Sequence, residues 1–266
     1  MTEHSKEQVI LKVENVSLTY DRLILRDINF EIQNIVRPNM TQGQVVSLIG
    51  RSGIGKTQLF KILSGLLQPT AGTVRIGDDL HPVEAGEVGI VPQNYILFNH
   101  RSVEDNLKIG QRASGMNTSS KEAKDMIADY AERFGLKEHL KKYPMQLSGG
   151  QRQRVSIIQQ ILTGNRFILL DEPFSGLDPV IKDKVVELLA AISCMHELNT
   201  LVIVSHDIEN SLVISDTAFI LGNEEGKEGA TIKETLDLIH MGYAWNPEIR
   251  HNKNFKEFVD QMKFRM

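Results

Sequence analysis

Residues 50–57, Gly50-Arg51-Ser52-Gly53-Ile54-Gly55-Lys56-Thr57, fit the spacing G-x-x-x-x-G-K-[ST]. The chemistry of that pattern is phosphate binding. Its glycines let successive backbone N–H groups turn inward as an anion nest. A helix N-terminus adds unpaired donors and a favourable dipole. Lys56 reaches the β- and γ-phosphates, and the Thr57 hydroxyl can ligate Mg²⁺. A glycine-rich turn that merely matches is the plain alternative. The flanks argue against it: Val45-Val46-Ser47-Leu48-Ile49 reads as a buried strand, and Gln58 to Leu63 as the first turns of a helix.

Four further residues have types and positions suited to nucleotide chemistry. Asp171 follows the apolar run Phe167-Ile168-Leu169-Leu170 directly. An acid at the C-terminal end of a buried strand sits where open α/β sheets bind ligands, and beside a phosphate loop it is the expected Mg²⁺ or water ligand. Glu172, one residue on, could polarise a water aimed at the γ-phosphate; an acidic helix start before Pro173 is the alternative. His206 follows the strand-like Leu201 to Val204 and could contact the γ-phosphate, although a capping histidine would also fit. Gln93, just past Gly89-Ile90-Val91, could ligate Mg²⁺ or sense phosphate, and is weak evidence alone.

The elements that must position these residues follow from periodicity. Strands are expected over residues 9–20, 24–32, 45–49, 73–76, 89–91, 167–170, 200–204 and 218–221, and helices over 57–65, 102–108, 121–134, 151–163, 181–196 and 208–213. Residues 34–43 and 110–120 read as loops. Strands alternating with helices, with antiparallel strands near the N-terminus, predict an α/β fold with a mixed, largely parallel core sheet. The helical block over about 100–163 interrupts that rhythm and reads as an insertion. Residues 7–225 are expected to form the main domain and 226–266 a helical tail docking on it through Leu236, Ile239, Trp245, Phe255, Phe258 and Val259. Trp245 reads as a packed aromatic before a ligand platform.

Composition sets wider bounds. The 266 residues carry a net charge of −4 with 41% hydrophobic and 24% charged residues, so nothing in the balance points to nucleic acid. Cys194 is the single cysteine, which rules out an intramolecular disulfide and suits a reducing compartment. Residues 1–6 lack the apolar core of a signal peptide. No run reaches the roughly 18 apolar residues of a membrane span.

Leu147-Ser148-Gly149-Gly150-Gln151 resembles in full the signature motif of ATP-binding cassette ATPases. Together with residues 50–57, Gln93, 167–172, Ser175-Gly176-Leu177-Asp178 and His206, it makes the chain over about 9–221 similar to the ATP-binding subunit of an ABC transporter, of the importer-like single-cassette type. The resemblance implies a P-loop NTPase fold with an N-terminal antiparallel β subdomain and an inserted helical subdomain. It implies an adenine-stacking role for Tyr20, and phosphate binding by Gly50, Arg51, Ser52, Gly53, Ile54, Gly55, Lys56 and Thr57. Gln93 resembles the Q-loop glutamine, Asp171 the Walker B aspartate, Glu172 the catalytic glutamate and His206 the switch histidine. Lys56 joins Glu172 and His206 as catalytic; Thr57, Gln93 and Asp171 would hold Mg²⁺. Residues 175–178 resemble the D-loop.

In this family the segment from Ser148 to Gln151 binds the γ-phosphate held by a second subunit. The resemblance therefore implies two cassettes sandwiching ATP, separate membrane permeases, and a peripheral place on the cytoplasmic face of the cell membrane. Ile96, Leu97 and Phe98 suit a groove for a permease helix; covering the protein's own core is the alternative. Lipid-trafficking or export systems and soluble non-transport ABC ATPases are the competing readings. Two departures from the family stand out. The segment 33–42 looks long, and Arg154 to Gln160 replaces an alanine-rich helix.

Overall fold

The computed structural model describes residues 4–36, 43–116, 118–194, 200–246 and 248–266. Among the described residues ten strands join one sheet: β1 (Ser5–Thr19), β2 (Leu23–Val36), β3 (Gln44–Ile49), β4 (Ala71–Ile76), β5 (His81–Pro82), β6 (Gly89–Val91), β7 (Phe167–Asp171), β8 (Thr200–Ser205), β9 (Thr217–Asn223) and β10 (Ala230–Asp237). Their order is β5-β4-β1-β2-β10-β9-β3-β8-β7-β6. Strands β9, β3, β8, β7 and β6 run parallel, whereas β1 pairs antiparallel with β2 and β4. The mixed sheet expected from the sequence is present, with antiparallel strands near the N-terminus as expected and a further antiparallel pair, β9 and β10, near the C-terminus.

The central strands are apolar because both faces are covered. All six residues of β3 and of β8 are buried. One core cluster lies between the sheet and α1 (Lys56–Leu63), with Leu48, Leu59, Phe60, Val202 and Phe219 at its centre. A second holds Leu107, Ile127, Val155, Ile158, Leu170, Leu189 and Ile203 against α2 (Val103–Ala113), α3 (Ser120–Arg133), α4 (Gly149–Ile161) and α5 (Pro179–Ser193). Helices α2 to α4 fall between β6 and β7 in the chain.

Three expectations need correction. Residues 110–113 continue α2 instead of opening a loop. Gly110 is there for space: a Cβ would stand 2.2 Å from the Gln159 carbonyl oxygen of α4, so the glycine lets the two helix backbones approach closely. Of the loop expected over 34–43, residues 34–36 belong instead to β2, which runs to Val36; residues 37–42 lie outside the described set. The tail expected to be helical from 226 begins as a strand. Gly226 and Gly229 turn the chain at positive φ, and β10 then pairs antiparallel with β9 from Ala230↔Asn223 to Asp237↔Thr217.

Beyond β10 lies α7 (Lys253–Arg265), after α6 (Ile208–Ile214). Leu236, Leu238, Ile249, Phe255, Val259 and Met262 form a third cluster with Ile49, Leu212 and Ile220. Burying a phenylalanine side chain contributes about 1.5–3 kcal/mol, so Phe255, at 1% exposure, anchors the C-terminal segment. Of the residues expected to dock, Leu236, Phe255 and Val259 are buried and Phe258 packs on the cluster. Trp245 donates its indole N–H to the buried Asp216 carboxylate, the packed role expected of it.

Candidate functional site

Register decides which residues meet at the strand ends. Ile49 of β3 pairs with Ser205 of β8, and Asp171 of β7 pairs with Val204. The residues that follow, Gly50, Glu172 and His206, therefore emerge side by side at the C-terminal edge of the parallel strands. Gly50 N–H donates to Ser205 O at 3.2 Å, and Glu172 N–H to Val204 O at 2.8 Å, extending the ladder by one step on each side.

The glycine-rich turn then leads into α1. Gly55 is its N-cap at φ 110°, where a side chain would be strained and its Cβ would stand 2.9 Å from Leu25 Cδ2. Lys56 is 6% exposed. Its Nζ donates to Gly50 O at 2.8 Å and Arg51 O at 3.1 Å, and lies 3.3 Å from Glu172 Oε1.

Glu172 has φ 51°, in the left-handed region that side chains seldom adopt. Its Oε2 accepts from Ser205 Oγ at 3.2 Å, His206 N–H at 3.3 Å and His206 Nδ1 at 2.7 Å. A carboxylate only accepts, so His206 Nδ1 carries the hydrogen in this bond. Burial is the largest influence on Asp171 and pushes its carboxyl above the usual range; Glu172 adds to this, and Lys56 and Lys61 oppose it.

Tyr20, Ser52, Gly53, Gly55, Lys56, Thr57, Gln93, Glu172 and His206 line one cleft of about 430 Å³. Ile24, Gln58 and Ser175 line it too. Sequence reasoning did not place these three, and Ser205, in the site. Ser205 had a signal, since it immediately precedes His206. Tyr20 Oη donates to Gln58 Oε1 at 3.3 Å, and Gln93 Nε2 to Ser175 Oγ at 3.2 Å. Arg51 and Ile54 instead line a second cavity beside α7, with Met262 and Arg265. Asp171 lies beneath the cleft, and its Oδ1 is buried with no hydrogen-bond partner.

The segment 148–151 is elsewhere. Ser148, Gly149 and Gly150 line a groove of about 1110 Å³ that shares no residue with the cleft. Ser148 caps α4 in a reciprocal box with Gln151. The Gln151 amide is committed within the chain: its Oε1 accepts from Ser148 N–H, and its Nε2 meets His139 Nε2 at 2.7 Å. A Cβ on Gly149 or Gly150 would meet nothing within 4 Å. Two glycines in a first helical turn cost stability relative to alanine, and no neighbour in this chain requires them.

Ile96 and Phe98 are 72% and 47% exposed, whereas Leu97 joins the second core cluster. The core reading therefore holds for Leu97, and Ile96 and Phe98 remain exposed.

The arrangement has parts suited to a nucleoside triphosphate site: a glycine-rich turn at a helix start, a buried lysine, a carboxylate bonded to an imidazole, and an orphaned aspartate oxygen. Among the described residues there is no group of three or more His, Cys, Asp or Glu that could hold a metal. No helix among the described residues is long and apolar enough to cross a membrane.

Comparison with known proteins agrees with the geometry. The family model described as ABC transporter matches residues 34–175. The chain is 32% identical over 244 residues to a sulfate/thiosulfate import ATP-binding protein of Agrobacterium fabrum, covering 89% of this chain and 67% of that one. An ABC transporter ATP-binding protein of Bacillus subtilis is 33% identical, with 81% of each covered. The chain spans only about half of a Salmonella paratyphi A relative, 53% of its length, whose name assigns it to 2-aminoethylphosphonate import. Among solved structures, cbiO1 of Clostridium perfringens, part of the ABC transporter complex cbiONQ, superposes with TM-score 0.74 at 25% identity, covering 97% of this chain and 100% of that one. A dimeric ATP-binding cassette in a post-hydrolysis state with ADP and Pi gives 0.68 at 25% identity, with 86% and 99% covered. The chain belongs to the ABC transporter family, and within it to the ATP-binding ATPase subunits.

Proposed function

We propose that this chain hydrolyses ATP in the cleft between its phosphate loop and Glu172, and that two chains, or this one and a homologous cassette, close on the nucleotide to drive import through separate membrane subunits. One observation carries the composite site: Ser148, Gly149 and Gly150 stand outside the cleft, and no neighbour in the chain requires the two glycines at this helix start. A γ-phosphate presented by a second subunit would use those N–H groups and the dipole behind them.

Within the cleft, Tyr20 offers its ring to adenine. Ser52, Gly53, Gly55, Lys56 and Thr57 wrap the phosphates, and Lys56 transfers its charge from Glu172 and the loop carbonyls to phosphate oxygens. That exchange releases Glu172 Oε1 to accept a proton from the attacking water. His206 holds Oε2 through Nδ1 and keeps the carboxylate oriented. Thr57, Gln93 and Asp171 would hold Mg²⁺, which neutralises charge on the phosphates when bound.

Import is the preferred direction because the relatives named above include import proteins. Ile96 and Phe98 supply an apolar surface for a helix of a membrane subunit. The chain would then sit peripherally on the cytoplasmic face of the membrane. The test is steady-state ATP hydrolysis by the purified full chain: Mg²⁺-dependent turnover that Glu172→Gln lowers by about 100-fold or more supports the reading. Turnover that survives the substitution overturns Glu172 as the base.

A further inference from the structure

A closed ring of side chains joins the C-terminal segment to the residue after His206. On α5, Lys182 Nζ donates to Asp207 Oδ2 at 2.7 Å. Asp207 caps α6, accepting from Asn210 N–H at 3.1 Å, and both its carboxylate oxygens accept from Asn210 Nδ2 at 2.9 Å. Asn210 Oδ1 accepts from Arg250 Nη2 at 2.7 Å. The same Nη2 lies 3.2 Å from Asp183 Oδ1, next to Lys182, which closes the ring. Arg250 Nη1 also reaches Glu209 at 3.4 Å, and Glu209 meets Lys263 of α7 at 3.7 Å. Burial raises the Asp207 carboxyl, but its bonds from Lys182 and Asn210 outweigh this and hold it below the usual range.

The ring is tied to the chemistry at Asp207. Its N–H donates to Ser205 Oγ at 3.0 Å, and Ser205 Oγ donates to Glu172 Oε2 at 3.2 Å. Helix α6 spans only seven residues. A helix that short has little stability of its own, so its start is set by its cap and by what holds the cap. Each ion pair here is part-exposed and individually weak; what the ring adds is a fixed position for Asp207, and so for His206 beside it.

We propose that Arg250 is a positioning residue for ATP hydrolysis: by bracing Asn210 and Asp183 it fixes the cap of α6 and thereby holds His206 on Glu172. The C-terminal segment is then part of the hydrolytic machinery and not only a cover for the sheet. This inference rests on the proposed function.

The test uses the full chain with Arg250→Ala, Arg250→Lys, Asp183→Asn, the double variant Arg250→Ala/Asp183→Asn, and Lys253→Ala as a control on the exposed face of α7. Two readouts are taken: ATP turnover, and amide hydrogen exchange over residues 207–212 without nucleotide. Arg250→Ala should lower kcat about tenfold and leave KM within about twofold. Exchange over 207–212 should rise in that variant and stay unchanged in α1. Arg250→Lys should restore part of both, and Asp183→Asn should add little once Arg250 is gone. Lys253→Ala should match the wild type. Unchanged kcat and exchange in both Arg250→Ala and Asp183→Asn overturn the proposal. So does a parallel loss of kcat and ATP binding with general loosening of the fold, which would mark Arg250 as merely structural. A wild-type chain without turnover overturns the proposed function itself, and is seen before any variant is compared.

Discussion

His206 Nδ1 stands 2.7 Å from Glu172 Oε2, across the ends of β8 and β7. The bond leaves Glu172 held on one side by an imidazole and on the other by Lys56, 3.3 Å from Oε1. A carboxylate gripped from both sides is oriented but occupied, and as the proposed base it must be freed on one side. In the proposed mechanism, phosphate that draws Lys56 away would free one oxygen while His206 keeps the other in place.

His206→Ala should therefore lower turnover while sparing nucleotide binding. A fall in kcat of about 100-fold, with ATP affinity within about threefold, is expected for a residue acting on the base. Single-turnover kinetics against equilibrium binding checks this. A matched loss of affinity would place His206 on the nucleotide instead.

Lys56→Ala should act in the opposite way. Charge-assisted bonds from Lys56 to phosphate are worth about 1.5–3 kcal/mol, so the dissociation constant for ATP should rise about 10- to 100-fold. Isothermal titration on the full chain reads it.

Gly149→Ala separates stability from activity. A Cβ there meets nothing within 4 Å and replaces a poor helix former. Stability should rise by about 0.5–1 kcal/mol, measured by urea unfolding. Turnover should fall about tenfold or more, because the methyl group stands where a second subunit's phosphate would approach. An equally active, more stable variant would argue that the helix start touches no ligand.

A pH effect on stability is expected away from the cleft. His81 Nδ1 lies 2.7 Å from Asp79 and Nε2 2.7 Å from Glu87. Both contacts, Asp79 first, raise the imidazole above its usual 6.5. The His81 bond lowers Asp79 below 3.8; Glu87 falls below 4.5 chiefly through the Glu84 N–H and then through His81. The raised histidine stabilises fully below about pH 6.5 and loses this as pH climbs through its folded value. The lowered carboxylates stabilise above their usual values and lose this on acidification. The joint window is therefore about pH 4.5 to 6.5. The Tm gap between wild type and His81→Gln should be largest near about pH 5.5 and shrink by about pH 9. A gap that widens with pH would contradict this.

Much of this architecture was legible in the residues themselves. The buried runs 45–49, 167–170 and 200–204 became neighbouring parallel strands because continuous apolar sequence suits a sheet covered on both faces. The glycine-rich spacing located the turn after β3, since few other sequences make that strand-to-helix bend. β10 was missed because its charged and β-branched residues acquire their meaning only from β9 beside them. Gly110 was misread because a glycine that marks a breaker in sequence marks helix contact in space. In the cleft, Ser175 and Gln58 were missed since their role comes from hydrogen bonds to Gln93 and Tyr20. The ring through Arg250 joins residues up to 68 positions apart, from Lys182 to Arg250, and has no local pattern.

As proposed, the cleft is half of a site that a second cassette completes. The most direct measurement is the solution mass of Glu172→Gln by light scattering, with and without Mg²⁺ and ATP. A single chain without nucleotide and a dimer with ATP, reversed on exchange for ADP, is the predicted result. A chain that binds ATP at full affinity, hydrolyses it in wild-type form and stays monomeric throughout would contradict the account.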